Sequence, residues 1–262
     1  MEERMRCRFG IAAAALAAVF CIDPAWAGRV YEPEAAMAEA NRAIGLTPDI
    51  DNGRELYKIC LVCHGPEGWG SSNGYYPQVA GQLASVTIKQ LADIRARNRD
   101  NPTMFPFSMP STLGGAQEMA DVSAYIASLP MSPVNDVGSG HDLELGKRVY
   151  VVECAECHGN RGQGDLQEHI PLVMGQHFSY LMRQFTWIRH GKRRNADAKM
   201  VKQIQRFTAR EVAAVMDYIS RLRPPPEKTA PPGWQNPDFP GFARHDLPPQ
   251  MLLHGVPPSP RN

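Results

Sequence analysis

The sequence predicts an all-α protein: two tandem copies of one small helical domain, joined by a short linker and followed by an extended, proline-rich C-terminal tail. One six-residue motif occurs twice, 94 residues apart, at residues 60–65 and 154–159. Apolar residues around each copy recur at helical spacing, and no segment alternates as a strand would. Twelve prolines lie between positions 224 and 260, where they exclude helix interiors and central strands.

Composition narrows the function classes before any motif is considered. The 262 residues carry 28 Lys and Arg against 27 Asp and Glu, a net charge of +1. A nucleic-acid-binding protein normally has a strong basic excess, so no nucleic-acid partner is expected. The hydrophobic fraction of 43% is ordinary for a folded chain and fits neither global disorder nor a polytopic membrane protein.

Residues 1–27 have the organisation of a secretory signal peptide. Three arginines precede a short run of small and apolar residues at positions 9–22, and Ala25-Trp26-Ala27 supplies the small residues of a cleavage site. The apolar run is too short to cross a bilayer comfortably. We expect cleavage after Ala27 and export to the periplasm, with an uncleaved N-terminal anchor as the alternative.

The repeat extends well beyond the six-residue motif, which indicates a duplicated domain. We place the first domain at residues 28–131, a linker at 132–141, the second domain at 142–223 and the tail at 224–262. The repeated pairs are Gly53/Gly146, Tyr57/Tyr150, Pro77/Pro171, Gly81-Gln82/Gly175-Gln176, Gln90/Gln184, Ile94-Arg95/Ile188-Arg189 and Tyr125/Tyr218.

Helical periodicity defines the elements of each copy. A short helix leads into each cysteine motif, a second helix is predicted over residues 85–97 and 178–190, and a third over 117–129 and 209–222. Thr208 with Glu211 three positions later forms a capping box at the start of the last helix. Pro130 and Pro224 end the third helices.

The repeated motif is Cys-x-x-Cys-His-Gly, which is typical of covalent haem attachment. Two cysteines three positions apart on a helical turn point to one side, and the adjacent histidine can reach the iron. A redox dithiol and a zinc site are the rival interpretations, but a Cys₄ zinc site would draw both pairs into one centre. We therefore predict two haem c groups, bound by Cys60 and Cys63 with His64, and by Cys154 and Cys157 with His158.

The sixth iron ligand distinguishes an electron carrier from an enzyme, because an open iron binds oxygen or peroxide whereas methionine fills the position and raises the potential. In the second domain Met200 lies in a polar loop before the last helix and is the predicted ligand. In the first domain two methionines compete. We favour Met104, because residues 105–107 could cover the porphyrin, with Met109 as the alternative.

These residues resemble the class I cytochrome c fold, and their tandem arrangement resembles the dihaem cytochrome c4 family over residues 50–223. The resemblance implies that a helix carrying Gly53 and Tyr57 crosses the helix of Tyr125, with the same crossing in the second domain. It also implies that the carbonyl groups of Pro77 and Pro171 orient the two haem histidines, which raises imidazole basicity. Family members shuttle electrons in the periplasm, commonly towards terminal oxidases or reductases.

We therefore expect a non-enzymatic electron carrier whose partners are redox proteins or a membrane-associated oxidase or reductase complex. A haem subunit of a larger oxidoreductase and a dihaem redox enzyme, of peroxidase or thiosulfate-oxidising type, are the alternatives. Eight basic residues lie between positions 183 and 206. They form either a solvated face that neutralises haem propionates or a docking face for an acidic partner.

The tail is expected to form no domain and no third cofactor site, because it lacks cysteine and its prolines remove backbone donors. Such a segment is extended and either mobile or laid across the folded domains. We favour partial docking, because Trp234 and Phe239 would be poor choices for a purely solvated linker.

Overall fold

A computed structural model describes residues 33–242, so the predicted signal peptide and residues 243–262 lie outside the described residues. Both repeats fall within one compact unit. Within residues 33–242, no helix is both long and apolar enough to cross a membrane.

The described residues form eleven α-helices and three isolated β-bridges, which confirms the all-α class. All four helices predicted over long ranges are present to within two residues at each end. In chain order the helices are α1 Pro33–Ile44, α2 Ile50–Tyr57, α3 Leu61–His64, α4 Ala84–Arg95, α5 Phe105–Ser108, α6 Ala116–Ser128, α7 Leu143–Glu153, α8 Ala155–His158, α9 Phe178–Arg189, α10 Ala198–Ile204 and α11 Ala209–Ser220.

The helix crossing implied by the resemblance is present in both repeats. Helix α2 packs on α6, and α7 packs on α11. A Cβ atom at Gly53 would lie 2.2 Å from the Asp121 carbonyl oxygen, and one at Gly146 would lie 2.1 Å from that of Ala214. No other residue type leaves room for this approach of two helix backbones, so glycine at these positions sets the distance between the helices.

The core of each repeat is a cluster of apolar side chains around its crossing. Tyr57 and Tyr125 are buried together in the first repeat, with ring centroids 5.3 Å apart. Tyr150 and Tyr218 form the same pair in the second repeat at 5.6 Å. The predicted capping box also forms, with the Thr208 hydroxyl accepting from the Glu211 N–H.

Helix α1 has no counterpart in the second repeat and was not predicted. Ala36, Ala40 and Ala43 bury one face of α1 against α4 and α6. Arg95 donates to the Glu39 carboxylate at 2.5 Å, which fixes α1 on the first repeat. The alanine spacing of four and three residues is the sequence pattern that could have revealed this helix.

The linker at residues 132–141 is fastened to the rest of the chain. The Ser132 N–H donates to the side-chain oxygen of Gln78, and the Gly140 N–H donates to the Asp217 carboxylate. The Asn135 amide donates to three backbone carbonyl groups, including those of Gln176 and Ser220. The linker therefore contributes to the packing of the two repeats instead of forming a free hinge.

The tail crosses back onto the first repeat, and residues 224–242 are called the strap below. Met131 and Thr229 form a β-bridge, and the Trp234 ring lies 5.8 Å from that of Trp69. Phe239 is buried in the core of the first repeat, 6.0 Å from the Tyr57 ring. This segment thus docks, and Phe239 belongs to the core of a domain more than 100 residues earlier.

Candidate functional site

Each cysteine motif folds into the same hydrogen-bonded loop. The His64 N–H donates to the Cys60 carbonyl at 2.9 Å, and the His158 N–H donates to that of Cys154 at the same distance. A glycine at a positive φ follows each histidine, 72° at Gly65 and 79° at Gly159, where a side chain would be strained. The loop therefore reverses directly after the histidine in both repeats.

A buried tyrosine fastens each of these loops to the preceding helix. The Tyr57 hydroxyl donates to the Gly65 carbonyl at 2.9 Å, and the Tyr150 hydroxyl donates to that of Gly159 at 2.6 Å. Tyr57 and Tyr150 are both fully buried. The repeated Gly-x-x-x-Tyr pattern therefore has two roles. Its glycine allows the close helix crossing, and its tyrosine holds the cysteine loop.

Both histidines predicted to bind haem have their ring Nδ1 atoms bonded to proline carbonyls, as the resemblance implies. The Nδ1 atom of His64 lies 3.0 Å from the Pro77 oxygen, and that of His158 lies 3.0 Å from the Pro171 oxygen. A carbonyl only accepts, so Nδ1 carries the proton and Nε2 keeps its lone pair for a metal. Burial, opposed by the bond to proline, lowers the pKa of both histidines, so both rings are neutral at pH 7.

The four cysteines have the character of attachment points instead of redox catalysts. None of the four forms a disulfide. Burial raises the pKa of Cys60 and that of Cys154 to about 12. A catalytic C-x-x-C pair lowers its thiol pKa to make a thiolate, so this shift disfavours a dithiol redox site.

The donor set fits haem c and keeps the two centres apart. Each loop offers two thiols for thioether bonds and one neutral imidazole whose Nε2 is available, which is the set that covalent haem attachment needs. Over residues 33–242, no three His, Cys, Asp or Glu side chains form a group that could hold a metal ion. The two cysteine pairs therefore do not come together in one such group.

Met200 lies in helix α10 and not in a loop, which corrects the predicted local structure. Asp197 caps this helix, and its carboxylate accepts from the Met200 N–H at 3.2 Å. The Met200 side chain is half-buried and packs against the core of the second repeat. The sequence suggested a loop because residues 192–199 are polar, but the Asp197 cap starts a helix within that polar segment.

The first repeat has the same arrangement 96 residues earlier, around Met104. The Met104 N–H donates to the side-chain oxygen of Asn101 at 3.3 Å, as Met200 does to Asp197. The next N–H in each repeat, at Phe105 and at Val201, donates to the Asn101 or Asp197 carbonyl at 2.9 Å. Met104 is therefore the structural counterpart of Met200.

An arginine fixes the same correspondence from the other end of the short helix. Arg95 Nε donates to the carbonyl of Ser108, the last residue of α5, and Arg189 Nε donates to that of Ile204, the last residue of α10. Counting back four residues from these carbonyls leads to Met104 and Met200. Met109 lies beyond α5 as its C-cap.

Polar side chains join the two repeats with an approximate two-fold symmetry. Gln82 pairs with the backbone of Leu172 through both its amide atoms, accepting at 3.0 Å and donating at 2.9 Å. Gln176 pairs with the backbone of Gln78 in the same way, at 3.1 and 2.8 Å. Leu172 and Gln78 are the residues that directly follow the two histidine-orienting prolines.

The buried Arg99 and the half-buried Arg193 form a second symmetric contact between the repeats. Arg99 donates to Gln90 and Gln184, and Arg193 donates to the same two glutamines. Burial, and then the charge of Arg99, lower the pKa of Arg193 to about 9. The sequence analysis missed this pair, although Arg99 and Arg193 share the offset of 94 that defines the repeat.

Most of the basic stretch at residues 183–206 stabilises the fold. Five of its eight basic residues, all arginines, bond to other parts of the chain. Arg183 donates to the Gly74 and Tyr75 carbonyls, and Arg194 donates to the Arg97 carbonyl. Arg189, Arg193 and Arg206 bond to Ile204 and Phe207, to the two glutamines, and to Glu153. A docking face here stays a prediction that rests on Lys192, Lys199 and Lys202.

His177, which directly follows Gly175-Gln176, has a structural role. Its Nδ1 accepts from the Asp136 N–H at 3.1 Å, and its Nε2 donates to the Trp69 carbonyl at 2.8 Å. Both nitrogen atoms are thus used in joining the linker and the second repeat to the first. Met174 and Met182, the other two methionines of the second repeat between His158 and Met200, pack in apolar clusters.

Each repeat is a helical domain with one cysteine loop and one oriented histidine. Two such domains in one chain define a dihaem c-type cytochrome. Two family models agree with this class. A model described as cytochrome c matches residues 50–130, and one described as cytochrome c oxidase, cbb3-type, subunit III matches residues 141–219. The chain accordingly binds two covalent haem c groups.

The chain belongs to the cytochrome c4 family. It is 32% identical to cytochrome c4 of Thiocapsa roseopersicina over 209 residues, which cover 75% of this chain and 95% of the relative. It is also 30% identical to a thiosulfate dehydrogenase electron acceptor of Stutzerimonas stutzeri over 173 residues, 62% of this chain and 78% of that protein. A crystal structure of reduced cytochrome c4 from Pseudomonas stutzeri shares the fold with a TM-score of 0.60 at 24% identity, covering 68% of this chain and all of that one.

Proposed function

We propose that this dihaem electron-transfer cytochrome is a periplasmic carrier, exported by a signal peptide cleaved after Ala27, with no substrate chemistry of its own. In this proposal the first haem domain comprises residues 28–131 and the second 142–223. His64 and Met104 bind the first iron, and His158 and Met200 bind the second. Each haem, when bound, supplies an iron that accepts and releases a single electron.

The observation that carries the proposal is the equivalence of Met104 and Met200. Both N–H groups are bonded to the side chain three residues earlier, and both methionines precede by four residues a carbonyl that an arginine on the preceding long helix holds. A methionine whose backbone is held in the same way in both repeats supports two filled irons. Filled irons favour electron transfer over peroxide chemistry.

The chain's own residues hold each site in one geometry. The proline carbonyls fix the imidazole planes, and the tyrosine hydroxyl groups hold the cysteine loops. Met104 is held as the N-cap of α5, and Met200 is held inside α10. An electron carrier gains from such rigidity, because a site that changes little between oxidation states transfers electrons with little rearrangement. The same features argue against an enzyme, which needs an iron position open to substrate.

Redox partners are proposed at the level of class. The likeness to a thiosulfate dehydrogenase electron acceptor supports a partner enzyme that releases electrons from an inorganic sulfur compound. The match of the second repeat to a cbb3-type oxidase subunit model supports a membrane-associated oxidase as acceptor. A dedicated haem subunit of a larger oxidoreductase is the second candidate. Recovery of a stable complex from membranes, instead of free protein, would favour the subunit.

Replacing the methionines one at a time tests the iron ligands. Met200→Ala should open one iron to carbon monoxide while the other stays closed, and Met104→Ala should do the same in the first domain. Met109→Ala is the matched control, five residues from Met104, and should leave the spectrum unchanged. Stoichiometric carbon monoxide binding by the wild-type protein, or loss of methionine ligation in Met109→Ala, would refute the assignment.

A further inference from the structure

We propose that each repeat positions the haem histidine of the other: Gln176 acts on His64, and Gln82 acts on His158. This inference rests on the proposed role of the two histidines as iron ligands. It assigns a role to two glutamines that lie in the interface between the repeats and contact neither cysteine loop.

The geometry is a hydrogen-bonded chain through one peptide group. The carbonyl of Pro77 and the N–H of Gln78 belong to the same rigid, planar peptide unit. His64 Nδ1 donates to the carbonyl end at 3.0 Å, and the N–H end donates to Gln176 Oε1 at 3.1 Å. Gln176 therefore holds the far end of the plane that orients His64.

The second repeat contains the same series of hydrogen bonds, with the roles of the two repeats exchanged. His158 Nδ1 donates to Pro171 at 3.0 Å, and the N–H of the same peptide unit, at Leu172, donates to Gln82 Oε1 at 3.0 Å. Each pair of corresponding distances agrees within 0.1 Å. In both cases the glutamine Oε1 that accepts from the peptide N–H belongs to the opposite repeat. Each repeat therefore helps to orient the histidine of the other.

Each glutamine bonds to both the N–H and the carbonyl of one residue in the opposite repeat. Gln176 Nε2 also donates to the Gln78 carbonyl at 2.8 Å, and Gln82 Nε2 donates to the Leu172 carbonyl at 2.9 Å. Only an amide side chain offers a donor and an acceptor side by side for this pairing. Gln176 and Gln78 are also buried, where hydrogen bonds polarise one another more strongly than in water.

The consequence for the iron follows from the polarity of this chain. Acceptance of the peptide N–H by glutamine polarises the peptide and makes the proline carbonyl a better acceptor. A stronger bond to Nδ1–H raises the basicity of the imidazole, which favours ferric iron. Loss of the glutamine should therefore raise the reduction potential of the haem in the opposite repeat.

The experiment replaces each glutamine by methionine, which keeps the length of the side chain. It removes both hydrogen bonds across the interface, together with the bond that each Oε1 accepts from the N–H of the next residue, His177 or Leu83. Reduction potentials are measured for each haem of the holoprotein, together with the NMR shift of each histidine Nδ1–H in the reduced state. Gln176→Met should raise the potential of the first haem more than that of the second and move the His64 resonance. Gln82→Met should do the reverse.

Ser85→Ala is the matched control for a loosened interface. Ser85 donates to the Leu166 carbonyl across the interface at 2.6 Å, carries no charge and touches neither peptide unit. This variant should leave both potentials and both Nδ1–H resonances in place. Should Gln176→Met not fold, the half-exposed Gln82 tests the same inference from the other repeat.

The inference is overturned if the changes appear in the mutated glutamine's own repeat, if both haems shift equally, or if neither differs from Ser85→Ala. Failure of the proposed function has a different signature, because missing methionine ligation is visible in the wild-type spectrum before any glutamine is changed. The links from His64 to Pro77 and from His158 to Pro171 do not involve the sixth ligand, so the cross-repeat effect is measurable in that case too.

Discussion

Each of the two repeats contains its own copy of the same site, and the copies differ in the structure that surrounds them. Their cysteine loops, tyrosine bonds and proline bonds agree within 0.3 Å between corresponding distances. The first repeat is covered in addition by helix α1 and by most of the strap, whereas in the described residues the strap meets the second repeat at Pro224, beside Gly175. The cysteine loops and their tyrosine and proline bonds are therefore alike in the two repeats, whereas the packing around them differs.

The strap shows how far this outer packing extends into the first repeat. The Asn236 amide donates to the Pro66 carbonyl, two residues after His64, and its N–H donates to the Glu67 carboxylate. The Tyr125 hydroxyl donates to Asp238, and Phe239 packs on the same ring. The first cysteine loop is thus held by a segment from the far end of the chain.

Removal of the strap should have the largest effect on the difference between the two repeats. A chain that ends after Arg223 loses Phe239 and Asn236, and we expect the first domain to lose at least about 3 kcal/mol of unfolding free energy, as for removal of a buried phenylalanine. The second domain should be affected much less. Denaturant unfolding, followed at each haem separately, measures both.

A chain that ends after Phe242 is the control for this truncation, because it keeps the whole strap. It should unfold like the full-length protein. Equal unfolding midpoints for the first domain in the two truncated chains would show that the strap contributes nothing.

The crossing glycines should give smaller effects that are equal in the two repeats. Gly53→Ala and Gly146→Ala each place a Cβ atom against a backbone oxygen at 2.2 and 2.1 Å, so the helices must separate. Overpacking of this kind costs about 1–3 kcal/mol. Thermal unfolding should show matching losses in the two variants, and a loss confined to one would mean that the crossings are not equivalent.

These residues also show what the sequence could predict. The glycine, tyrosine and proline pairs were visible because each recurs at a fixed offset and has a local physical role. Helix α1 carried a detectable alanine pattern. The partners of Gln82, Gln176, Asn236 and Phe239 were not predictable, because their contacts join positions about 90 to 180 residues apart, and no local pattern specifies which surfaces meet.

A pH effect at His177 is the smallest expected change. Burial outweighs the nearby Asp136 carboxylate and lowers the pKa of His177 in the folded state. Below the unfolded value of about 6.5, the unfolded chain binds more protons than the folded one, so stability is complete above that pH and falls as pH decreases. This dependence has no counterpart in the first repeat, where Leu83 occupies the corresponding position.

The free energy of unfolding should therefore fall more in the wild-type protein than in His177→Gln between pH values of about 7.5 and 5.5, a range around the ordinary histidine pKa. The two haem histidines are present in both proteins and cancel in the comparison. Parallel pH profiles would remove His177 as the titrating group.

The central claim is that one six-coordinate His/Met site is built twice. The most direct test is the weak methionine-to-iron band at the red end of the visible spectrum of the oxidised wild-type protein. Its intensity is compared with the haem content of the same sample. Two equivalents of that band for two haems, with low-spin signals only, are the predicted result. One equivalent, or a high-spin signal from either iron, would contradict the claim and indicate an open site.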